Sequence, residues 1–148
     1  MEIKRIIVIN EHIIDKLTDL VDGFIREANE FDVSHKDAMS VIDDIVRTNK
    51  GALFGLYKDS RLSGYLAMEL CKMNLNRVVA VVHQMYLNQE ARGDDGFKEM
   101  VDMGIEWAKD NKAEHIYFTT RRNSEAFRRL LGAGWSIDST VLGLKLCA

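Results

Sequence analysis

Proline is absent from this chain, and cysteine occurs only twice, as Cys71 and Cys147. Two cysteines are too few for a disulfide framework, and their spacing is not that of a metal site. Cys71 ends an apolar strand pattern and reads as core filler. Long apolar runs are missing as well. The longest, Val78 to Val82, is far short of the roughly 20 residues that span a bilayer. The N-terminus has no signal-peptide pattern, because Glu2 and Lys4 flank a short Ile/Val strand rather than an apolar core segment. A cytoplasmic protein that does not enter membranes is therefore expected. Neither sign of charge is in large excess. A net charge of −3 argues against a nucleic-acid partner. Patterns of the Cys-x-x-Cys, His-Glu-x-x-His, Gly-x-Ser-x-Gly and phosphate-loop types do not occur. With His12, His35 and His115 scattered along the chain, no metal is expected. The lack of proline points to no function by itself.

What is present is ordinary for one globular unit: 148 residues, 47% hydrophobic and 29% charged. That size supports a single domain over residues 1–148 with a sizeable core. Repeats, low-complexity tracts and linkers are not found. Ile3 to Ile9 reads as a first strand. Ile13, Ile14, Leu17, Leu20, Val21, Phe24, Ile25 and Ala28 recur at the period of one helix face. Ser34-His35-Lys36-Asp37 resembles an acidic capping box and opens a second helix with Ala38, Val41, Ile42, Ile45 and Val46 inward. Ala52 to Tyr57 and Gly64 to Leu70 are apolar runs joined by Lys58-Asp59-Ser60-Arg61, a hairpin signal. The strand Val78 to Leu87 follows.

After Arg92-Gly93-Asp94-Asp95-Gly96, the residues Phe97, Met100, Val101, Gly104, Ile105 and Ala108 form a helical stripe. Gly104 lies inside it at a cost of about 1 kcal/mol relative to Ala, which implies close contact between helix and sheet. A strand over His115 to Thr120, a helix over Ser124 to Leu131 and an alternating segment from Ile137 to Leu146 complete the chain. The order is β-α-α-β-β-β-α-β-α-β(-β). It predicts an α/β (α+β) domain with a mixed, mostly antiparallel central sheet of six to seven strands and helices on both faces.

A strand, a glycine turn and a helix N-terminus present backbone N–H groups that suit a phosphate-bearing ligand. The order and spacing from Arg77 to Trp135 resemble the acyl-CoA-dependent N-acetyltransferases of the GNAT superfamily, and the likeness covers about residues 50 to 146. It implies that the backbone of Met85 and Leu87 pairs with the pantetheine arm of acetyl-CoA. It also implies that the turn Arg92, Gly93, Asp94, Asp95, Gly96 and Phe97 cradles the pyrophosphate. Arg92 and Gly93 fit the family pattern, whereas Asp95 and Phe97 stand where glycine or alanine is expected, with Gly96 one place out of step. Asp94 and Asp95 would each oppose a pyrophosphate by on the order of 1–3 kcal/mol at a surface-like dielectric, partly offset by Arg92 and Lys98. Either aspartate also suits the N-cap of the following helix.

In the second half of the likeness, Asn123, Ala126 and Gly134-Trp135 hold family positions, and Asn123 is implied to contact the cofactor. The family's usual tyrosine, which protonates the leaving thiolate, is replaced by Leu130. Tyr86 and Tyr117 are the nearest phenols in sequence, and Tyr86 is the candidate substitute. His83 is the candidate general base, since an unperturbed imidazole accepts protons near neutrality. A lone histidine in an apolar strand equally suits a structural role. Gln84 is expected on the opposite face from His83. The resemblance thus implies transfer of an acetyl group to a small-molecule amine or a protein amine. The degenerate positions support an alternative, a GNAT-like domain that has lost catalysis and serves as a protein-binding or structural module of viral or mobile-element type. Pairing of the last strands with a second copy, a homodimer, is left open.

Overall fold

The structure is a computed structural model that describes residues 1–27, 33–73, 76–92, 95–120, 124–138, 144 and 146. Among the described residues, five strands and five helices follow in the order β1 (Glu2–Ile6), α1 (Glu11–Glu27), α2 (His35–Thr48), β2 (Gly51–Lys58), β3 (Arg61–Met73), β4 (Arg77–Leu87), α3 (Gln89–Arg92), α4 (Gly96–Asp110), β5 (His115–Phe118) and α5 (Glu125–Gly132). The strands lie side by side in sequence order. The first three pairings are antiparallel, and β4 and β5 run parallel, joined through α4. The outer strand β1 has five residues, and its Glu2, Lys4 and Arg5 are exposed. Among the described residues no helix is long and apolar enough to cross a membrane.

The helical stripes do what their periodicity implies, except that Val41, expected inward on α2, is exposed, and Ala28 lies outside the described residues. Leu17, Leu20 and Val21 of α1 and Ala38, Ile42 and Ile45 of α2 pack with Leu53, Tyr65 and Ala67 on one face of the sheet. Met100 and Ala108 of α4 pack with Phe54, Leu66, Met68, Ala80 and Val82 on the other. With both faces covered, β2 is buried from Gly51 to Leu56 and β3 from Leu62 to Met68. Continuous rather than alternating hydrophobicity follows from that. Gly104 lets α4 approach closely: a methyl group there would stand 3.1 Å from Leu66 Cδ2 and 3.3 Å from Met68 Sδ.

Local signals set the element ends. The Ser34 hydroxyl accepts the N–H of Asp37 at the start of α2, and the helix closes on Asn49 in the left-handed region, φ 57°. Asn10 caps α1 by accepting the N–H groups of His12 and Ile13, a cap not anticipated from the sequence pattern. Asp59 and Ser60 both have positive φ, and Lys58 pairs with Arg61. The β2–β3 hairpin is therefore a two-residue turn of the kind that matches strand twist.

Several expectations about the elements change. β1 ends at Ile6 where a strand to Ile9 was expected, leaving Ile7 and Val8 exposed, and β5 ends at Phe118 rather than Thr120. The strand β3 runs from Arg61 to Met73, well past the Gly64–Leu70 run, because its distal half pairs with Arg77 to Ala80 in a hairpin arm whose tip is exposed. A short helix, α3, fills the stretch before the glycine turn, with the Asn88 side chain accepting the N–H of Ala91. Five strands are described where six to seven were expected. The expected last strands fall on 137–146, of which 139–143 and 145 lie outside the described residues.

One buried polar chain ties α2 to the sheet. Tyr65 Oη donates to Gln84 Oε1 at 2.9 Å, and Gln84 Nε2 donates to the Ala38 carbonyl at 3.1 Å. Burial raises the Tyr65 phenol well above its usual range, with the nearby Tyr86 adding to the effect, so it remains a donor. Replacing Gln84 by Leu strands that hydroxyl, and a buried unpaired donor costs about 1–3 kcal/mol. Gln84→Leu is expected to lower unfolding free energy by this amount in chemical denaturation. The Gln84→Leu/Tyr65→Phe double variant is expected to lose less than the two singles combined.

Candidate active site

The site grows from a single irregularity. Ala67 pairs with Gln84 and Met68 with Val82, so three residues of β4 oppose two of β3 and His83 is the extra one. A bulge of this kind interrupts the two-residue alternation and re-aims side chains. Val82 packs on the α4 side. Gln84 reaches Ala38 of α2 on the other side, and His83 reaches Glu69 of β3 with Nε2 3.7 Å from the carboxylate. Because Glu69 follows Ala67 by two, it projects to the α1/α2 side as well, so His83 and Gln84 share one face. The expectation of opposite faces assumed an uninterrupted strand. Beyond the bulge, Met85 and Leu87 join the α4 side and Tyr86 the α1 side.

The same point marks where the sheet opens. Parallel pairing of β4 with β5 ends at Val82 and Phe118. β4 continues to Leu87 with no strand partner on that edge among the described residues. The result is a cleft of about 520 Å³ whose lining includes His83 to Leu87, with Phe97 on one side, Phe118 to Thr120 on another and the first turn of α5 above. Glu27 of α1 and Asp37 of α2 stand on the remaining wall. The cleft therefore combines an unpaired strand edge, a mostly apolar lining and carboxylates at one side.

Helix α5 opens at this cleft with an ordered cap. The Ser124 hydroxyl accepts the N–H of Phe127 at 3.0 Å and lies 2.8 Å from Thr120 Oγ1. Arg129 bonds Glu125 and lies over the Phe97 ring, 5.4 Å from its centroid, which bridges α5 to α4. The N-cap of α4 is different. Asp95 occupies the position but makes no side-chain capping bond. The capping role expected of Asp95 is thus not realised, and Asp94 lies outside the described residues. Gly96 begins the helix, buried against α3: a methyl group there would sit 2.8 Å from the Ala91 carbonyl oxygen. Packing alone accounts for that glycine.

The basic residues are already engaged. Arg92 Nε donates to the Leu87 carbonyl at 2.7 Å, its guanidinium pairs with Glu27, and it stacks over Tyr86, 5.2 Å from the ring centroid. Lys98 donates to Asp102 at 2.6 Å, and that bond raises the Lys98 ammonium. Tyr86 presses its ring on α1, where a methyl at Gly23 would come within 2.6 Å of the phenol oxygen. Leu130, at the family's tyrosine position, is buried at 5% exposure and is not part of the cleft lining. The structure thus brings His83, Met85, Tyr86, Leu87, Arg92 and Phe97 around one cavity. Asp95 and Gly96 stand at the start of α4. Gly93, Asp94 and Asn123 lie outside the described residues. Sequence inspection missed Glu27, Asp37 and Ser124. Only the Ser-x-x-Phe run after a polar strand end hinted at the last.

No protein-family profile matches the sequence, and no curated protein matches it significantly. Solved structures do match. A ribosomal-protein-alanine N-acetyltransferase from Brucella melitensis biovar Abortus 2308 superposes with a TM-score of 0.74 at 14% identity, covering 99% of both chains. The aminoglycoside N-acetyltransferase AAC(6')-Iy in complex with CoA gives 0.74 at 12% identity, covering 99% of this chain and 95% of that one. The aminoglycoside 6'-N-acetyltransferase AAC(6')-IG from Acinetobacter haemolyticus gives 0.72 at 12%, covering 100% and 99%. The described residues therefore share the fold of these N-acetyltransferases, the fold that the GNAT resemblance implies. Identities this low carry the fold and leave the activity to be argued from the site.

The two helix starts at the cleft should respond differently to loss of their polar side chain. Ser124→Ala removes a realised cap and is expected to cost about 1 kcal/mol. Asp95→Ala removes none and is expected to stay within about 0.5 kcal/mol of the parent. Urea unfolding of both variants checks the contrast.

Proposed function

We propose that this protein transfers an acetyl group from acetyl-CoA to the primary amine of a cationic acceptor. The observation that carries the reading is the unpaired edge of β4 beside the bulge, opening into an apolar cleft between the starts of α4 and α5. An extended amide-bearing arm can add to such an edge as a strand would. Met85 and Leu87 would hold the pantetheine through their backbone. The stretch from Arg92 to Phe97, with Gly93, Asp94, Asp95 and Gly96 between them, would meet the pyrophosphate, and Asn123 the middle of the cofactor. When bound, acetyl-CoA supplies an activated thioester carbonyl.

The protein's own share is proton traffic and placement. An acceptor ammonium is drawn to the wall bearing Glu27 and Asp37, since opposite charges attract across a partly desolvated cleft. His83 takes the proton, which frees the nitrogen lone pair to attack the thioester carbon. A C–N bond forms, the C–S bond breaks, and the thiolate leaves. Tyr86 is the cleft phenol that can return a proton to sulfur, since Leu130 cannot. The acceptor is a small amine or a protein amine. The buried aliphatic Leu130 and the uncapped Asp95 beside the phosphate turn favour a second reading, a GNAT domain retired to protein binding.

Calorimetry with acetyl-CoA separates the two. Binding with a micromolar Kd by the parent protein is expected. Absence of parental binding, regained by Asp94→Gly/Asp95→Gly, would identify a retired cofactor site, and no binding by either protein would sink the transferase reading. With an acceptor in hand, His83→Ala is expected to lower kcat by about 10²-fold or more while acetyl-CoA affinity stays within a few-fold of the parent.

A further inference from the structure

Strand pairing assembles a second constellation that linear spacing conceals. Glu69 and Cys71 lie two apart on β3 and therefore project from the same face. The bulge on β4 turns His83 toward them. Cys71 Sγ stands 3.4 Å from Glu69 Oε1, and His83 Nε2 stands 3.7 Å from the same oxygen. One ligand atom from each of the three residues falls within 4.8 Å of the other two.

These separations suit a small tetrahedral ion. With metal–sulfur bonds of about 2.3 Å and metal–nitrogen or metal–oxygen bonds of about 2.0 Å, the S···O and N···O edges of the tetrahedron come to roughly 3.3–3.5 Å. Two of the three edges are thus close to their final length before any ion arrives. Thiolate, imidazole and carboxylate together favour zinc over magnesium or calcium, which prefer sets made only of oxygen. Three protein ligands leave a fourth position for water. His83 and Glu69 keep about a third of their side-chain surface open, 36% and 35%, so an ion can reach them. The pairing of β3 with β4 fixes both strands, and only side-chain rotation is needed to close the third edge.

We propose that Glu69, Cys71 and His83 form a binding site for a zinc-type divalent cation, and that its occupancy switches off acetyl transfer. Binding releases the thiol proton to solvent as the metal–sulfur bond forms. The imidazole nitrogen then donates its lone pair to the ion and has none left for an acceptor ammonium. The site stands on its own geometry, whereas its effect on activity rests on the role assigned to His83 above.

Cobalt(II) serves as the spectroscopic probe for the full-length protein. One equivalent is expected to give a sulfur-to-cobalt charge-transfer band with tetrahedral d–d absorption, both removed by zinc. The bands should persist in Cys147→Ser and vanish in Cys71→Ser, and Glu69→Gln should weaken cobalt affinity by about tenfold or more. No charge-transfer band, a band that follows Cys147, or unchanged affinity in Glu69→Gln would overturn the site. For the functional consequence, zinc is expected to inhibit the parent protein. Cys71→Ser should keep basal acetyl transfer and need at least about tenfold more zinc. Equal zinc sensitivity in the two proteins would overturn the switch. Cobalt binding without acetyl-CoA binding would leave the metal site standing and remove the transferase reading instead.

Discussion

The candidate site depends on one extra residue in β4. From Val79 to Val82 the strand is an interior member of the sheet, paired on both sides. At His83 the ladder to β3 takes in an additional residue, and at the same level β5 stops pairing. The alternation of side chains shifts by one, so two consecutive polar residues face α1 and α2 where a regular strand would place only one. A sheet that continued without interruption would bury this edge and leave no cleft. The sheet is therefore both scaffold and opening, and the transition between the two takes a single residue.

The periodic elements were legible because hydrophobic burial imposes them. The stripes of α1 and α4, most of that of α2, the β2–β3 turn and the cap at Ser34 appear where the pattern placed them, since each follows from local chemistry. Features that arise from pairing were not legible. The bulge at His83 depends on the register of β3 against β4, which leaves no trace in β4 alone. Helix α3 is too short to show a period. The engagement of Arg92 by Glu27 spans 65 positions and follows from the way α1 crosses the end of β4. The Glu69–Cys71–His83 cluster was hidden for the same reason, because its spacing exists across strands and not along the chain. Asp95 shows the opposite failure: a residue type well suited to capping sits at the cap position without making the bond.

Charge in the cleft is arranged more economically than its residue count suggests. Arg92 meets the Leu87 carbonyl, the Glu27 carboxylate and the Tyr86 ring together. One cation thereby joins the end of α1, the end of β4 and the short helix α3. A guanidinium can do this because its planar fork offers several donors in fixed directions and a face for stacking. Glu27 is part neutralised by that contact, which leaves Asp37 as the less compensated carboxylate on that wall of the cleft. The tight fit of Tyr86 on Gly23 fixes the fourth participant, because the helix backbone leaves the ring little room to swing.

The short outer strand β1 has a bearing on how this protein behaves in company. An exposed sheet edge is a template for another chain, and long apolar edges are the ones that recruit. Here the edge is five residues long, and Glu2, Lys4 and Arg5 give it charges of both signs, two of them paired at 3.4 Å. A passing strand would have to strip water from those ions to bond with it. The sheet can thus remain open at that end, in crowded surroundings, without growing into a fibril.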